Sequence, residues 1–513
     1  MFDSIHLEEA LSDIYDVGVN DENLALLHKA NDEVHMSVKT PGGLTDHQVL
    51  KNIVLQGDTW GSILASVQVD AIAKDVEEAG LGYKYKQSLE IGILGLVDDL
   101  IGITEAGHKA QQMNVILNVK SAEKCLQFGV SKCKSMLIGG KANNLINSDL
   151  KVDCWKEEYV ESIETGETQL IDKYLGEVSI EKTTEHKYLG FIVSSEGNNM
   201  ANIMAMKKKS HGVIRTIMDK LEKLNLRNYY FECSIIFMNV MLRGSILYGS
   251  ETYYNLTEGQ LRCIERIEET YMRKILNTKR SCPIIQMYLE LGQWPARFEV
   301  QKSRLLFLKS ILDEDENSRV VQFFKLQLEQ PCKGDWVSRC KKDLKELGIL
   351  ESFDVIKNMS KQKYKKMLKL KIKENAWKYL IGKRGSKGKE IEYSTLEMAD
   401  YLSPYSQKLS IVEKQKVFSI RNRMVEIPYN YGNSEELCIC GDKENMSHIY
   451  SCKKLNKDKF EISFENIYTR NLYKQFEVFT RFEENMNRRN KFKLEVPGDQ
   501  NSDPLSCNQS SFG

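Results

Sequence analysis

No stretch of this 513-residue sequence is apolar for long enough to cross a bilayer. The best candidate, Cys233–Tyr248 (CSIIFMNVMLRGSILY), is too short and carries Arg243. A spanning helix needs about 20 apolar residues, so this run reads as a buried helix. The amino terminus, MFDSIHLEEALSDIYD, is acidic and lacks an apolar core, so no secretory signal is expected. The chain is therefore expected inside the cell, nuclear or cytoplasmic, and not secreted. Cysteine is sparse at 12 residues, too few for a disulfide scaffold, and in a reducing compartment most would be free thiols. No repeat with a period of about 20–50 residues is present, which excludes a solenoid. A Gly-rich phosphate loop and a nucleophile elbow are missing as well. Net charge is absent too, because 72 basic residues balance 72 acidic ones.

That balance hides a polarised chain. Residues 1–100 carry 18 Asp/Glu against 6 Lys and no Arg, a local net of −12. Residues 357–389 carry 13 Lys/Arg against one acid, Glu374, a local net of +12. Hydrophobic residues make up 42% of the sequence and run throughout, which excludes disorder over most of its length. At about 100–200 residues per domain, the length fits about two to four domains.

Periodicity predicts helix over 5–31, broken by a turn near Gly18–Asp21, and again over Ser62–Glu78. Pro41-Gly42-Gly43 is a turn between the extended runs Val34–Thr40 and Val49–Leu55. Leu89–Ile103 is apolar apart from Asp98-Asp99, a pattern for two strands meeting at a tight acidic turn. Thr104 is placed to cap a helix running to about Leu126, and Val130–Ile138 reads as extended. From about Asn198 long amphipathic helices take over, and Gly382–Lys389 (GKRGSKGK) reads as a flexible basic linker. The fold class is therefore α+β.

Leu96-Val97-Asp98-Asp99 is chemically the loudest feature. Two adjacent carboxylates at an apolar hairpin tip repel, and a hard divalent cation offsets that repulsion. An ordinary solvated turn explains the same residues, because Asp favours turns. The neighbours add information through their order: Gln56-Gly57-Asp58 upstream, Lys132-Cys133-Lys134 after the next helix, then Lys187-Tyr188-Leu189-Gly190. With the segments LQGDTWGS, LGLVDDLIG, FGVSKCKSM and KYLGFIVSSEG in this order over residues 56–197, the sequence resembles reverse transcriptases of LINE-like, non-LTR retrotransposons.

The resemblance implies a partial right-hand polymerase palm over 1–197, an RRM-like antiparallel sheet with helices. A helical thumb-like region over 198–330 and a lysine-rich helical connector over 331–430 would follow. It implies an RNA-directed DNA polymerase that uses Mg2+ (or Mn2+) at Asp98 and Asp99, with an RNA template, a DNA primer or duplex, and deoxynucleoside triphosphates as partners. Lys132 would approach the triphosphate or pyrophosphate, and Gln56, Gly57 and Asp58 would lie against the template. On the residues alone, Lys132 also reads as a solvated lysine and Gln56-Gly57 as an ordinary loop-to-helix connection. The sequence departs from the family in having Thr59-Trp60-Gly61 after QGD and Leu96 at the aromatic position of the DD motif. Its Met1-Phe2-Asp3 matches the tripeptide that follows the third metal-binding carboxylate in the family. The chain as given is thus expected to have little or no polymerase activity. A non-catalytic nucleic-acid-binding remnant is the alternative reading.

Cys438, Cys440, His448 and Cys452 form C-x-C-x7-H-x3-C, a Cys3His set suited to tetrahedral Zn2+. Chance clustering of ordinary cysteines gives the same pattern. Non-LTR elements often carry such a CCHC unit downstream of the thumb, which implies a zinc knuckle over 431–456; a helical tail over 457–497 is expected to follow, and the polar end 498–513 is expected to be disordered. In 357–389 lysines interleave with apolar residues, which reads as a solvated helix face, as a phosphate-contacting surface or, third, as a membrane-surface helix. Lys365, Lys366, Lys383 and Arg384 are its candidate contacts, with Lys207, Lys208 and Lys209 as a smaller group.

Overall fold

Leu7, Ala10, Leu11 and Ile14 recur at helical spacing, and Leu7–Asp16 folds as a helix that buries all four. In the computed structural model they pack on Leu64 and Ala65 of the helix Gly61–Glu78. The structure describes residues 5, 7–51, 60–97, 99–124, 126–139, 150–161, 168–224, 229–332, 334–384, 410–422, 425, 437–456 and 472–495. By internal contacts the chain forms two units, Met1–Ala205 with Glu314–Ser338, and Met206–Asp313 with Arg339–Gly513. The fold is mixed α+β, and among the described residues no helix is long and apolar enough to cross a membrane. The end 498–513 and the linker beyond Arg384 lie outside the described residues.

In the first unit, the helix Gly61–Glu78 serves two cores. Its start packs with Leu7–Asp16, and its end places Val76 against Ile93 and Met113. Each such buried aliphatic side chain contributes roughly 1.5–3 kcal/mol. Tyr83–Tyr85 pairs with Leu89–Ile91, and Ile93–Leu96 pairs with Asp99–Gly102, both antiparallel. Backbone bonds join these ladders: Tyr83 donates to the Ile103 carbonyl (3.2 Å), and Ile103 donates to the Gly92 carbonyl (2.8 Å). A Cβ on Gly82 would stand 2.8 Å from the Gly92 nitrogen, so the close approach there requires glycine.

Several local expectations are revised. The helix predicted after Thr104 runs Gly107–Glu123, and its N-cap is Ala106; the Thr104 hydroxyl donates to the Ala106 carbonyl instead. The predicted extended run Val130–Ile138 is a 3-10 turn, Val130–Lys132, followed by the two-residue strand Lys134–Ser135. The predicted linker begins as helix, since Lys361–Arg384 continues through Gly382. A long hairpin, Lys151–Glu161 with Thr168–Ser179, carries a register shift at Cys154/Trp155. Glu314–Ser338 contributes the helix Arg319–Glu329 to the first unit. There Phe323 lies 4.3 Å from Tyr85, ring centre to ring centre, and Arg319 pairs with Glu77 at 2.6 Å.

The second unit is helical and organised around buried charge. Glu268 is fully buried and accepts from Arg243 Nε (2.7 Å), the Tyr288 hydroxyl (2.7 Å) and the Ala296 backbone nitrogen (2.9 Å). Arg421 meets Glu290 at 2.7 Å, and Arg304 meets Asp343; all four are buried. Arg243→Leu would leave Glu268 buried without its cation. The loss expected is about 3–5 kcal/mol, read as a lower denaturant midpoint with unchanged slope. A loss below about 1 kcal/mol would contradict this account.

Candidate metal centre and acidic hairpin

The Cys3His unit is assembled by local rules. Leu437 bridges Lys443, Cys438 donates its backbone N–H to the Asp442 carbonyl (2.8 Å), and Gly441 donates to the Cys438 carbonyl (2.8 Å). Gly441 sits at φ +93°, a conformation that side chains resist, so the turn that follows the first two cysteines depends on glycine. The Asn445 side chain accepts from the His448 backbone N–H (2.8 Å) and caps the helix Met446–Ser451. Cys452 ends that helix.

These elements bring one ligand atom from each of Cys438, Cys440, His448 and Cys452 within 4.8 Å of one another. Cys438 Sγ lies 3.6 Å from Cys452 Sγ, and Cys440 Sγ lies 3.1 Å from His448 Nε2. A Zn–S distance of about 2.3 Å gives a tetrahedral edge of about 3.8 Å, so the set is the right size for zinc. Burial pushes the Cys438 thiol up to about 12, and it raises Cys440 as well. A bound cation would have to displace those protons. With four protein ligands the centre is closed, which fits structure and not catalysis.

Sequence reasoning missed the support around this centre. The helix Leu472–Glu495 reaches it through three side chains. Asn485 Nδ2 donates to the carbonyls of Ile449 (3.0 Å) and Tyr450 (3.1 Å) and to Asn456 Oδ1 (2.8 Å). Arg488 donates to the Leu455 carbonyl (2.7 Å), and buried Arg489 makes a two-pronged contact with buried Glu444. Arg489 is 45 residues from Glu444, so no local pattern in the sequence announces the pair.

At the acidic hairpin, Leu96 pairs with Asp99, and Val97 follows the first strand. Asp98 lies outside the described residues, as do Gln56, Gly57 and Asp58. Val97 sits at φ +57°, a strained position for a β-branched residue, and its side chain packs on the core of Leu7, Leu11 and Leu64. Asp99 is exposed. The second tight hairpin, Glu185–Tyr188 with Phe191–Ser194, turns through Leu189 and Gly190, both at positive φ. Burial raises the pKa of its half-buried Tyr188, and the Asp99 charge raises it further, so the two hairpins lie within electrostatic reach. In the sequence, Tyr188 stands out only as part of the segment Lys187-Tyr188-Leu189-Gly190. Lys132 is exposed at the end of its 3-10 turn. Among the described residues, no group of three or more potential metal ligands gathers apart from the Cys3His set, so the Mg2+ expectation rests on the residues of the turn alone.

Lys208 and Lys209 are exposed and Lys207 half-buried on the helix Met200–Lys223. Lys365, Lys366 and Lys383 are exposed on the helix Lys361–Arg384, which also carries Arg384. Compared with known proteins, the chain matches no protein-family model and no curated sequence.

Zinc at one equivalent per chain is the expected metal content, with Cys452→Ser losing it and loosening the helix Leu472–Glu495. Metal analysis and amide exchange across that helix check both. Stoichiometric zinc retained by Cys452→Ser would remove the assignment.

Proposed function

We propose that this chain derives from the RNA-directed DNA polymerase of a non-LTR retrotransposon, with residues 1–197 as partial palm, a helical thumb beyond, and a structural zinc unit near its end. The carrying observation is the acidic turn. Val97 sits in left-handed backbone and packs on the core, and Asp99 opens the second strand within electrostatic reach of Tyr188. The order of the four sequence segments supports the same reading.

Phosphoryl transfer to a primer hydroxyl asks little covalent work of side chains and much of positioning. Magnesium or manganese, when bound, would supply activation of the attacking hydroxyl and stabilisation of the leaving pyrophosphate. In this reading Asp98 and Asp99 hold the cation, Lys132 neutralises the triphosphate, and Gln56, Gly57 and Asp58 abut the template. The Cys3His centre, if it binds zinc, fixes the C-terminal helix without taking part in the reaction.

Two measurements test the reading together. Manganese binding followed by electron paramagnetic resonance is expected to weaken by at least about tenfold in Asp98→Ala and Asp99→Ala, about 1.4 kcal/mol. Primer extension on an RNA template with deoxynucleoside triphosphates is expected to be slight, and abolished by Asp98→Ala. Manganese affinity unchanged in both variants would sink the proposal. Retained manganese binding and template binding with no extension at all would favour the non-catalytic nucleic-acid-binding alternative.

A further inference from the structure

The helix Lys361–Arg384 holds ten basic side chains against one carboxylate, Glu374. Five of its apolar residues form one ridge at intervals of four, and all are buried: Tyr364, Leu368, Ile372, Ala376 and Leu380. The ridge is anchored firmly. The Tyr364 hydroxyl donates to the Leu305 carbonyl (3.2 Å), and the Tyr379 ring meets Phe298 edge-on at 5.5 Å, with the Arg297 guanidinium 4.9 Å from its centre.

Lys365, Lys366, Lys369 and Lys373 stand away from that ridge, exposed and with no acidic partner among the described residues. Their spacings of three, four and eight residues put them on one face over about 12 Å. Like charges at such spacings repel and destabilise a helix. Elsewhere the chain pairs surface lysines with acids one turn away, as in Lys74–Asp70, Lys109–Glu105 and Lys371–Glu374. The four-lysine face is thus an uncompensated charge row on a rigid support.

We infer that this face binds the phosphate backbone of a nucleic-acid double helix without reading its sequence. Three features select that partner. A duplex supplies the densest line of fixed negative charge, and lysines that neutralise it release counterions. Single-strand binders add aromatic platforms for bases, but on this helix Tyr364 is buried, Tyr379 is engaged by Phe298 and Arg297, and the half-buried Trp377 lies beyond the four-lysine stretch. A membrane-surface helix inserts its apolar side, and here Leu370 is the one large apolar side chain of the helix that is exposed. The inference stands apart from the polymerase reading, because it needs neither Asp98 nor Asp99.

The test measures binding of the full chain to a mixed-sequence DNA duplex by fluorescence anisotropy between about 50 and about 200 mM salt. Replacing all four residues (Lys365→Gln, Lys366→Gln, Lys369→Gln, Lys373→Gln) is expected to make the slope of log affinity against log salt shallower by about 3.6, at about 0.9 per phosphate. The four Lys→Arg replacements are expected to preserve the slope. Thermal unfolding of the glutamine variant should match or exceed the parent, since repulsion has been removed. An unchanged salt slope in the glutamine variant would overturn the inference. So would a loss of affinity confined to phosphatidylserine vesicles or to single-stranded DNA.

Discussion

A carboxylate sealed from water, Glu268, sets the terms for the helical unit. Burial raises its pKa, and the Arg243 charge and the Tyr288 hydroxyl oppose that rise. An isolated anion in such a place costs more than a single packed side chain returns, so its partners must arrive together. They come from Arg243, Tyr288 and Ala296, on three separate helical segments. The same Arg243 donates to the Trp294 carbonyl (2.6 Å), and Glu299 accepts from the Trp294 indole N–H (2.7 Å). One ion therefore specifies how several helices dock, a task that interchangeable leucines perform less selectively.

Much of the chain was legible because its signals are local. The acidic turn, the helix Gly61–Glu78 and the gathering of Cys438, Cys440, His448 and Cys452 follow from periodicity, turn chemistry and ligand spacing within short windows. The long hairpin Lys151–Glu161 with Thr168–Ser179 was not legible. Its first strand, KVDCWKEEYVE, is rich in charge and lacks apolar alternation, so only backbone pairing across the hairpin reveals it. Thr104 failed as a cap because its hydroxyl found a carbonyl two residues on.

The candidate sites divide along the same line. The metal ligands lie within fifteen residues, and the sequence names them all. Their outer support does not lie there: Asn485, Arg488 and Arg489 stand on a helix whose own pattern is merely amphipathic. Tyr188 likewise belongs to a different hairpin from Asp99, and only tertiary structure brings its ring and that charge together. First-contact residues are chosen by chemistry that sequence spells out, whereas the groups that hold them are chosen by distance in space.

The return of Glu314–Ser338 to the first unit has a consequence for synthesis. Met206–Asp313, 108 residues counted inclusively, belongs to the other unit and leaves the ribosome first. At about 5–20 residues per second, that delay lasts roughly 5–20 s. During it, Tyr85 and Glu77 wait without Phe323 and Arg319. The nascent first unit therefore spends seconds with an uncovered aromatic edge beside its central strands. That interval is when a chaperone, or a neighbouring nascent chain, has access to it.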